Sequence, residues 1–169
     1  ALTNQAPEAN LIQISTSLLA RGWMLATAES CTGGMIAAAC TDLAGSSQWF
    51  ERGFVTYSNE AKTDLLGVPA GLIATHGAVS EPVARAMALG AVAHSRAQVA
   101  VAVTGIAGPT GGTADKPVGT VWFGWNVNGN ITTATRRFDG DRAAVRHQTL
   151  AWACARLQAL LQAPPPAPG

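Results

Sequence analysis

The segment AQVAVAVTG, residues 97–105, is an apolar, valine-rich run that ends at a glycine. Runs of this composition fill the middle of a sheet that helices cover on both faces. We therefore predict that this segment forms the central strand of the fold.

Helical and strand patterns alternate along the flanking segments. Strands are predicted at residues 23–29 and 49–58, where short apolar runs are bounded by turn signals. Helices are predicted from apolar spacing and from glycine and proline boundaries, with the Ser80 hydroxyl capping the last of them. They fall at residues 8–21, 35–43, 59–67, 69–77 and 81–95.

A β-hairpin and a long helix follow the central strand. VGTVWFGWNV, the turn NGN and ITTATRRF predict the hairpin, and Asp139 or Asp141 caps a helix that reaches about Gln162. The fold class is therefore α/β, a three-layer α/β/α sandwich on a mixed, mostly parallel sheet with a late hairpin. We expect one domain over residues 1–163 and a proline-rich, disordered tail at 164–169.

Composition and charge exclude several classes of function. Of the 169 residues 48% are hydrophobic and 12% charged, which is typical of a globular protein. A net charge of +1 provides no broad field for nucleic acid or an anionic membrane. Without a signal peptide or a long apolar span, a cytoplasmic protein is expected. Cysteines and histidines lack ligand spacing, so neither a metal nor another cofactor is expected.

ESCTGG, residues 29–34, places reactive side chains where a strand meets a helix. The Ser30 hydroxyl would stand at the carboxyl edge of the sheet, where α/β proteins bind ligands, and the N–H groups of residues 32–35 would be free for an anion. Such a turn suits a nucleophile. Two alternatives stay open. In the first, Ser30 or Thr32 is a plain helix cap. In the second, Cys31 is the nucleophile, with its pKa lowered by the helix start; the simpler role for Cys31 is that of a buried structural residue.

TYSNEAKTD, residues 56–64, would reach the same edge of the sheet. It contains the only tyrosine, Tyr57, and one of two lysines, Lys62. A lysine whose pKa is lowered by desolvation can activate a serine hydroxyl, and a tyrosine can relay the proton. A solvated helix lysine and a strand-end aromatic residue are the simpler alternative.

Two further segments carry weaker signals. The loop TGIAGPTGGTADKP, residues 104–117, is long enough to be functional but lacks the residue order of known nucleotide-binding loops. FDGDRAAVR places Arg142 and Arg146 on the first turns of the last helix, where a guanidinium suits a phosphate, although a surface ion pair is the commoner role.

Five blocks in order resemble the CinA C-terminal domain family over roughly residues 8–162: AESCTGG, GFVTYSNEAKTDLLGV, GAVSEPVARAMALGA, AVAVTGIAGPTGGTADKPVGTVWFGW and RRFDGDRAAVR. The resemblance implies an amidohydrolase that converts nicotinamide mononucleotide to nicotinic acid mononucleotide and ammonia, which returns a breakdown product to NAD synthesis. It implies that Ser30 is the nucleophile and that Tyr57 and Lys62 assist it. The implied substrate-binding residues are Cys31, Thr32, Gly33, Gly34, Thr104, Gly105 and, for the phosphate, Arg142.

On this interpretation the side chains of residues 29–32 face the substrate amide, and the helix start behind them holds either the oxyanion or the phosphate. The expected partner is a pyridine mononucleotide, with no nucleic acid and no membrane. The alternative is a catalytically silent nucleotide-binding or regulatory domain, which would not need Lys62. Trp122, Trp125 and the apolar last helix favour a homodimer, although the same residues would also suit a core.

Overall fold

A computed structural model describes residues 6–163, and the predicted tail at 164–169 lies outside the described residues. The helices are α1 (Pro7–Arg21), α2 (Met35–Thr41), α3 (Asn59–Leu66), α4 (Ala70–His76), α5 (Glu81–Ala93) and α6 (Arg142–Gln162). The strands are β1 (Leu25–Glu29), β2 (Phe50–Val55), β3 (Val99–Gly105), β4 (Thr120–Val127) and β5 (Asn130–Arg137). A short 3-10 turn, Ser46–Gln48, precedes β2.

The strands form one mixed sheet in the order β2-β1-β3-β4-β5. β1 pairs in parallel with both β2 and β3, whereas β4 is antiparallel to both β3 and β5. β4 is therefore the one described strand that opposes the others. The predicted central strand, the mixed α/β sheet and the late hairpin are confirmed.

Helices pack against both faces of this sheet. Along β3 the valines join a core cluster with residues of α1 and α6, and Ala100 and Ala102 join a second cluster with residues of α5. Successive residues of a strand point to opposite faces, so the two clusters lie on the two sides of the sheet. On the α5 side β4 carries Gly124, where a Cβ atom would lie 2.5 Å from the Ala84 carbonyl oxygen.

The aromatic residues of the hairpin belong largely to the core. Trp125 is fully buried, stacks against Phe123 with ring centroids 5.5 Å apart, and donates its indole N–H to the Ala153 carbonyl at 3.1 Å. A buried tryptophan whose N–H is paired is a core residue. Trp125 therefore offers no surface for the predicted homodimer, and only Trp122, which is half-buried, remains as an aromatic argument for it.

Most predicted element ends agree with the observed ones, because the residues there have the expected conformations. Gly67 ends α3 in the left-handed region, and Asn128 and Gly129 have the positive φ angles, 50° and 96°, of a tight hairpin turn. Asp141 caps α6 by accepting the Ala144 N–H at 2.9 Å. The predicted cap at Ser80 is wrong: its hydroxyl donates to the Gly77 carbonyl instead of accepting from α5.

Candidate active site

The carboxyl ends of β1, β2 and β3 border a cavity of about 240 Å³. The sheet edge is where α/β folds bind ligands, as the sequence predicted. The residues that line the cavity are Ser30, Cys31, Tyr57, Asn59, Lys62, Ala78, Val79, Thr104, Gly105, Ala107 and Arg142. Seven of the ten predicted site residues are among them: six that follow these strands, and Arg142 from α6.

Ser30 and Lys62 form the closest pair of reactive groups in the cavity. The Lys62 Nζ lies 3.0 Å from the Ser30 Oγ, 3.0 Å from the Thr56 carbonyl oxygen and 3.1 Å from the Tyr57 carbonyl oxygen. Carbonyl oxygens only accept hydrogen bonds. Both protonation states of the amine fit this arrangement. The ammonium can donate to all three oxygens, whereas the neutral amine can bond the two carbonyls through its two N–H groups and accept the Ser30 hydroxyl proton on its lone pair.

The surroundings of Lys62 favour its neutral form. The side chain is only 1% exposed, and burial lowers its pKa because the charged form loses hydration. Within residues 6–163 no carboxylate forms a salt bridge with it. Glu60 and Asp64 are exposed, and their helical spacing places them on other sides of α3 than Lys62. Desolvation therefore acts on Lys62 without an opposing ion pair.

Tyr57 enters the site differently from the prediction. Its side chain is 62% exposed, and its hydroxyl oxygen accepts a hydrogen bond from the Arg142 Nη2 at 3.4 Å. Its backbone carbonyl, rather than its hydroxyl, faces Lys62 and Ser30; the Ser30 Oγ lies 3.4 Å from that oxygen. The hydroxyl is not hydrogen-bonded to either residue, so the described geometry does not support a proton relay through Tyr57.

The Glu29 side chain does not face the cavity, contrary to the prediction. Its carboxylate is fully buried and accepts the Thr32 hydroxyl at 2.6 Å, the Ile36 N–H at 2.8 Å and the Ala37 N–H at 3.0 Å. Glu29 therefore caps α2 and places a negative charge at its N-terminus. Thr32 is turned away from the cavity by its bond to this carboxylate.

The turn after Ser30 uses much of its own hydrogen-bonding capacity, so the predicted free N–H groups are only partly present. The Gly33 N–H donates to the Ser30 carbonyl and the Met35 N–H to the Thr32 carbonyl, each at 3.1 Å. Gly33 and Gly34 have φ angles of 58° and 109°, which glycine adopts without strain. These glycines shape the turn and do not line the cavity.

Arg146 fixes this turn from outside and was not among the predicted site residues. Its Nε donates to the Cys31 carbonyl at 3.0 Å and its Nη2 to the Thr32 carbonyl at 3.1 Å. Arg142 lies one helical turn earlier, on the same face of α6. That spacing was the only sequence signal that Arg146 would also reach the site.

Cys31 does not have the properties of a nucleophile. It is 5% exposed, and burial raises the pKa of its thiol to about 11, where a helix start had been expected to lower it. None of the three histidines lines the cavity to act as its base. Cys31 is a wall residue, which packs so closely against Gly105 that a Cβ atom there would lie 3.2 Å from its Sγ.

Thr104 and Arg142 hold the loops around the cavity. The Thr104 hydroxyl donates to the Ala78 carbonyl at 3.0 Å and so anchors the segment that precedes α5. The Arg142 Nη1 donates to the Gly108 carbonyl in the glycine-rich loop at 2.8 Å, and the rest of the guanidinium is exposed at the cavity rim. Arg142 therefore keeps donors available for a ligand.

Four wall residues had no sequence signal: Asn59, Ala78, Val79 and Ala107.

The part of the chain that the structure describes contains no group of three or more His, Cys, Asp or Glu side chains placed to hold a metal ion. Over the same residues, no helix has both the length and the apolar character needed to cross a membrane.

An α/β protein with a serine and a buried lysine in a cavity at the carboxyl ends of its parallel strands is built to receive a small molecule. Residues 8–161 match the family model described as CinA C-terminal domain. The chain belongs to the CinA C-terminal domain family, as its sequence blocks predicted.

Two relatives and one solved structure are similar to the chain over most of their own length. The chain is 58% identical to a nicotinamide-nucleotide amidohydrolase PncC of Enterobacter agglomerans, over 81% of this chain and 84% of that protein. It is 56% identical to the protein of the same name from Escherichia coli K12, over 89% and 90%. The crystal structure of competence/damage inducible protein CihA from Agrobacterium tumefaciens superposes with a TM-score of 0.88 at 49% identity, over 92% of this chain and 96% of that one.

Proposed function

We propose that this protein is an amidohydrolase that converts nicotinamide mononucleotide to nicotinic acid mononucleotide and ammonia. The observation that carries the proposal is the 3.0 Å contact between the Lys62 Nζ and the Ser30 Oγ in a buried site, where no carboxylate among the described residues forms a salt bridge with Lys62. Relatives more than 50% identical carry the name of this activity. A silent nucleotide-binding domain would have no use for a buried lysine that must lose hydration.

In the first step neutral Lys62 accepts the Ser30 hydroxyl proton while the Oγ attacks the carboxamide carbon. The carbonyl double bond opens, and its oxygen becomes a tetrahedral oxyanion. The amide N–H of Cys31, a residue of the cavity wall, follows the nucleophile directly and has no main-chain partner within residues 6–163. We assign the stabilisation of the oxyanion to this donor.

In the second step the protonated Lys62 gives its proton to the leaving nitrogen. The C–N bond breaks, ammonia departs, and the acyl group remains on Ser30. A water molecule then attacks the ester, Lys62 takes its proton and returns it to the Ser30 oxygen, and nicotinic acid mononucleotide is released. While Lys62 is protonated, its three N–H groups have acceptors in Ser30 and in the carbonyls of Thr56 and Tyr57.

Arg142 is the proposed phosphate ligand. It lies at the rim of the cavity, and arginine binds phosphate through paired N–H groups. Binding energy from a remote phosphate can be used at the reacting centre, so the riboside without phosphate should have a much lower kcat/KM. Arg142→Gln should reduce the difference in kcat/KM between the nucleotide and the riboside. Equal kcat/KM for both compounds in the wild type would rule out a phosphate site.

The central test measures ammonia release from nicotinamide mononucleotide by purified wild type, Ser30→Ala and Lys62→Met. Both variants should lose at least about three orders of magnitude in kcat. Ser47→Ala changes an exposed serine outside the cavity and serves as the matched control, with wild-type turnover expected. Wild-type activity in Ser30→Ala would refute the mechanism. Binding of the nucleotide without ammonia release would establish the silent-domain alternative instead.

A further inference from the structure

The side chain of Tyr57 is exposed in a place where packing does not explain it. It is 62% exposed, yet it lines the cavity and is the one aromatic residue among the wall residues described above. Its one hydrogen bond in the described structure is the long contact from Arg142. A large aromatic side chain that contributes little to the core and borders a cavity has the properties of a ligand-binding surface.

The position of Tyr57 between two parts of the site is informative. Its backbone carbonyl lies 3.1 Å from the Lys62 Nζ, next to the nucleophile, and its hydroxyl lies 3.4 Å from the Arg142 guanidinium. The aromatic ring therefore spans the distance between the Ser30–Lys62 pair and the arginine at the rim.

The proposed substrate has its groups in the same order. Its carboxamide is bonded directly to the pyridinium ring, and the ribose and phosphate follow from the ring nitrogen. With the carboxamide at Ser30 and the phosphate at Arg142, the ring must lie beside the side chain that joins these two points. We infer that the Tyr57 ring is the face on which the pyridinium ring of the substrate stacks, an inference that rests on the proposed function.

The charge of the ligand ring makes this contact selective. The pyridinium ring is cationic, and the face of an aromatic ring is electronegative, so stacking gains a cation–π component. The reduced mononucleotide has a neutral, non-aromatic dihydropyridine ring and would lose that component. Tyr57 is thus a residue that determines specificity for the oxidised ring, and its hydroxyl is not required to move a proton.

The test separates binding from turnover. The affinity for nicotinamide mononucleotide is measured by calorimetry in the Ser30→Ala background, and kcat and KM are measured with Ser30 intact. Tyr57→Leu removes the aromatic face and should weaken the affinity and raise KM by about tenfold, with a smaller effect on kcat. Tyr57→Phe retains the face and should weaken the affinity less. Ile12→Ala removes an exposed side chain of α1 that does not line the cavity, and it controls for a change of the surface.

The reduced mononucleotide provides the second measurement. In the Ser30→Ala background, which does not hydrolyse the oxidised form, the protein should bind the oxidised form more tightly than the reduced form, and adding Tyr57→Leu should reduce this preference. An unchanged affinity and preference in Tyr57→Leu would overturn the inference. A Tyr57→Phe enzyme with unchanged affinity and a collapsed kcat would overturn the statement that the hydroxyl is not required to move a proton. If the wild type binds the nucleotide through Tyr57 but releases no ammonia, the proposed function fails and the stacking role is supported.

Discussion

Replacing Glu29 with glutamine should destabilise the protein although the two side chains have nearly the same shape. The carboxylate accepts three hydrogen bonds in a fully buried site, from the Thr32 hydroxyl and from the N–H groups of Ile36 and Ala37. A glutamine has one acceptor oxygen. If this oxygen keeps the bonds to Thr32 and Ile36, the amide NH2 group points at the Ala37 N–H, and two donors face each other.

The expected loss follows from these three bonds. Hydrogen bonds to a charged group contribute about 1 kcal/mol more than bonds between neutral groups. The bonds from Thr32 and Ile36 become neutral in the glutamine variant, so together they lose about 2 kcal/mol. The half-buried Ala37 N–H, left without an acceptor, costs about 1–3 kcal/mol more. The free energy of unfolding should therefore fall by about 4 kcal/mol, which lowers Tm by about 8–16 °C in a protein of this size.

Urea and thermal unfolding followed by circular dichroism measure this loss. Glu60→Gln is the matched control, because Glu60 lies in the first turn of α3 but is exposed and should change stability by less than about 0.5 kcal/mol. If Glu29→Gln is as stable as this control, Glu29 is not the buried cap of α2, and the account of the Ser30 turn is wrong.

Three further predictions follow from the site and the packing. Burial lowers the pKa of Lys62, and only the neutral amine accepts the Ser30 proton, so kcat/KM should rise with pH as Lys62 deprotonates. Lys62→Arg should be inactive at every pH tested because arginine stays protonated; substantial activity would leave Lys62 a phosphate ligand. Cys31→Ala should retain most of the turnover, and slow alkylation of Cys31 near pH 7 should agree with a thiol pKa of about 11; loss of turnover would make the cysteine essential. Gly90→Ala would place a Cβ atom 2.0 Å from the Leu66 carbonyl oxygen and should cost about 2–3 kcal/mol in urea unfolding, whereas Gly71→Ala meets no atom within 4 Å and should not destabilise the protein.

Local signals were sufficient for the order of elements and for the edge of the sheet that carries the site. The apolar run of β3, the glycine after α3 and the Asn128–Gly129 turn each report on their own backbone, so they can be read without knowing the fold. The pairing of Ser30 with Lys62 was implied by the family resemblance, and the close contact in the structure agrees with that pairing.

The sequence did not reveal which way the residues of ESCTGG face. Every residue of β1 is buried, so its composition has no alternation from which to read the two faces of the strand. In the structure helices cover both faces of the sheet. The Glu29 side chain lies on the face that packs against α2, and the Ser30 side chain lies on the opposite face, toward α3. The Arg146 contacts join residues 114 and 115 positions apart in the chain, and local periodicity contains no information on such pairs.

The turn at Asn128–Gly129 lies at the end of the sheet opposite to the site, because the last residue of β4, Val127, pairs with the first residue of β3. A Cβ atom added at Gly129 would meet nothing within 4 Å. This turn is therefore a suitable point for engineering, since exposed loop tips accept inserted sequence. A peptide tag or a fluorescent domain inserted there would be held away from the cavity, and the protein could be immobilised on a surface through that insert with its substrate entrance facing the solvent.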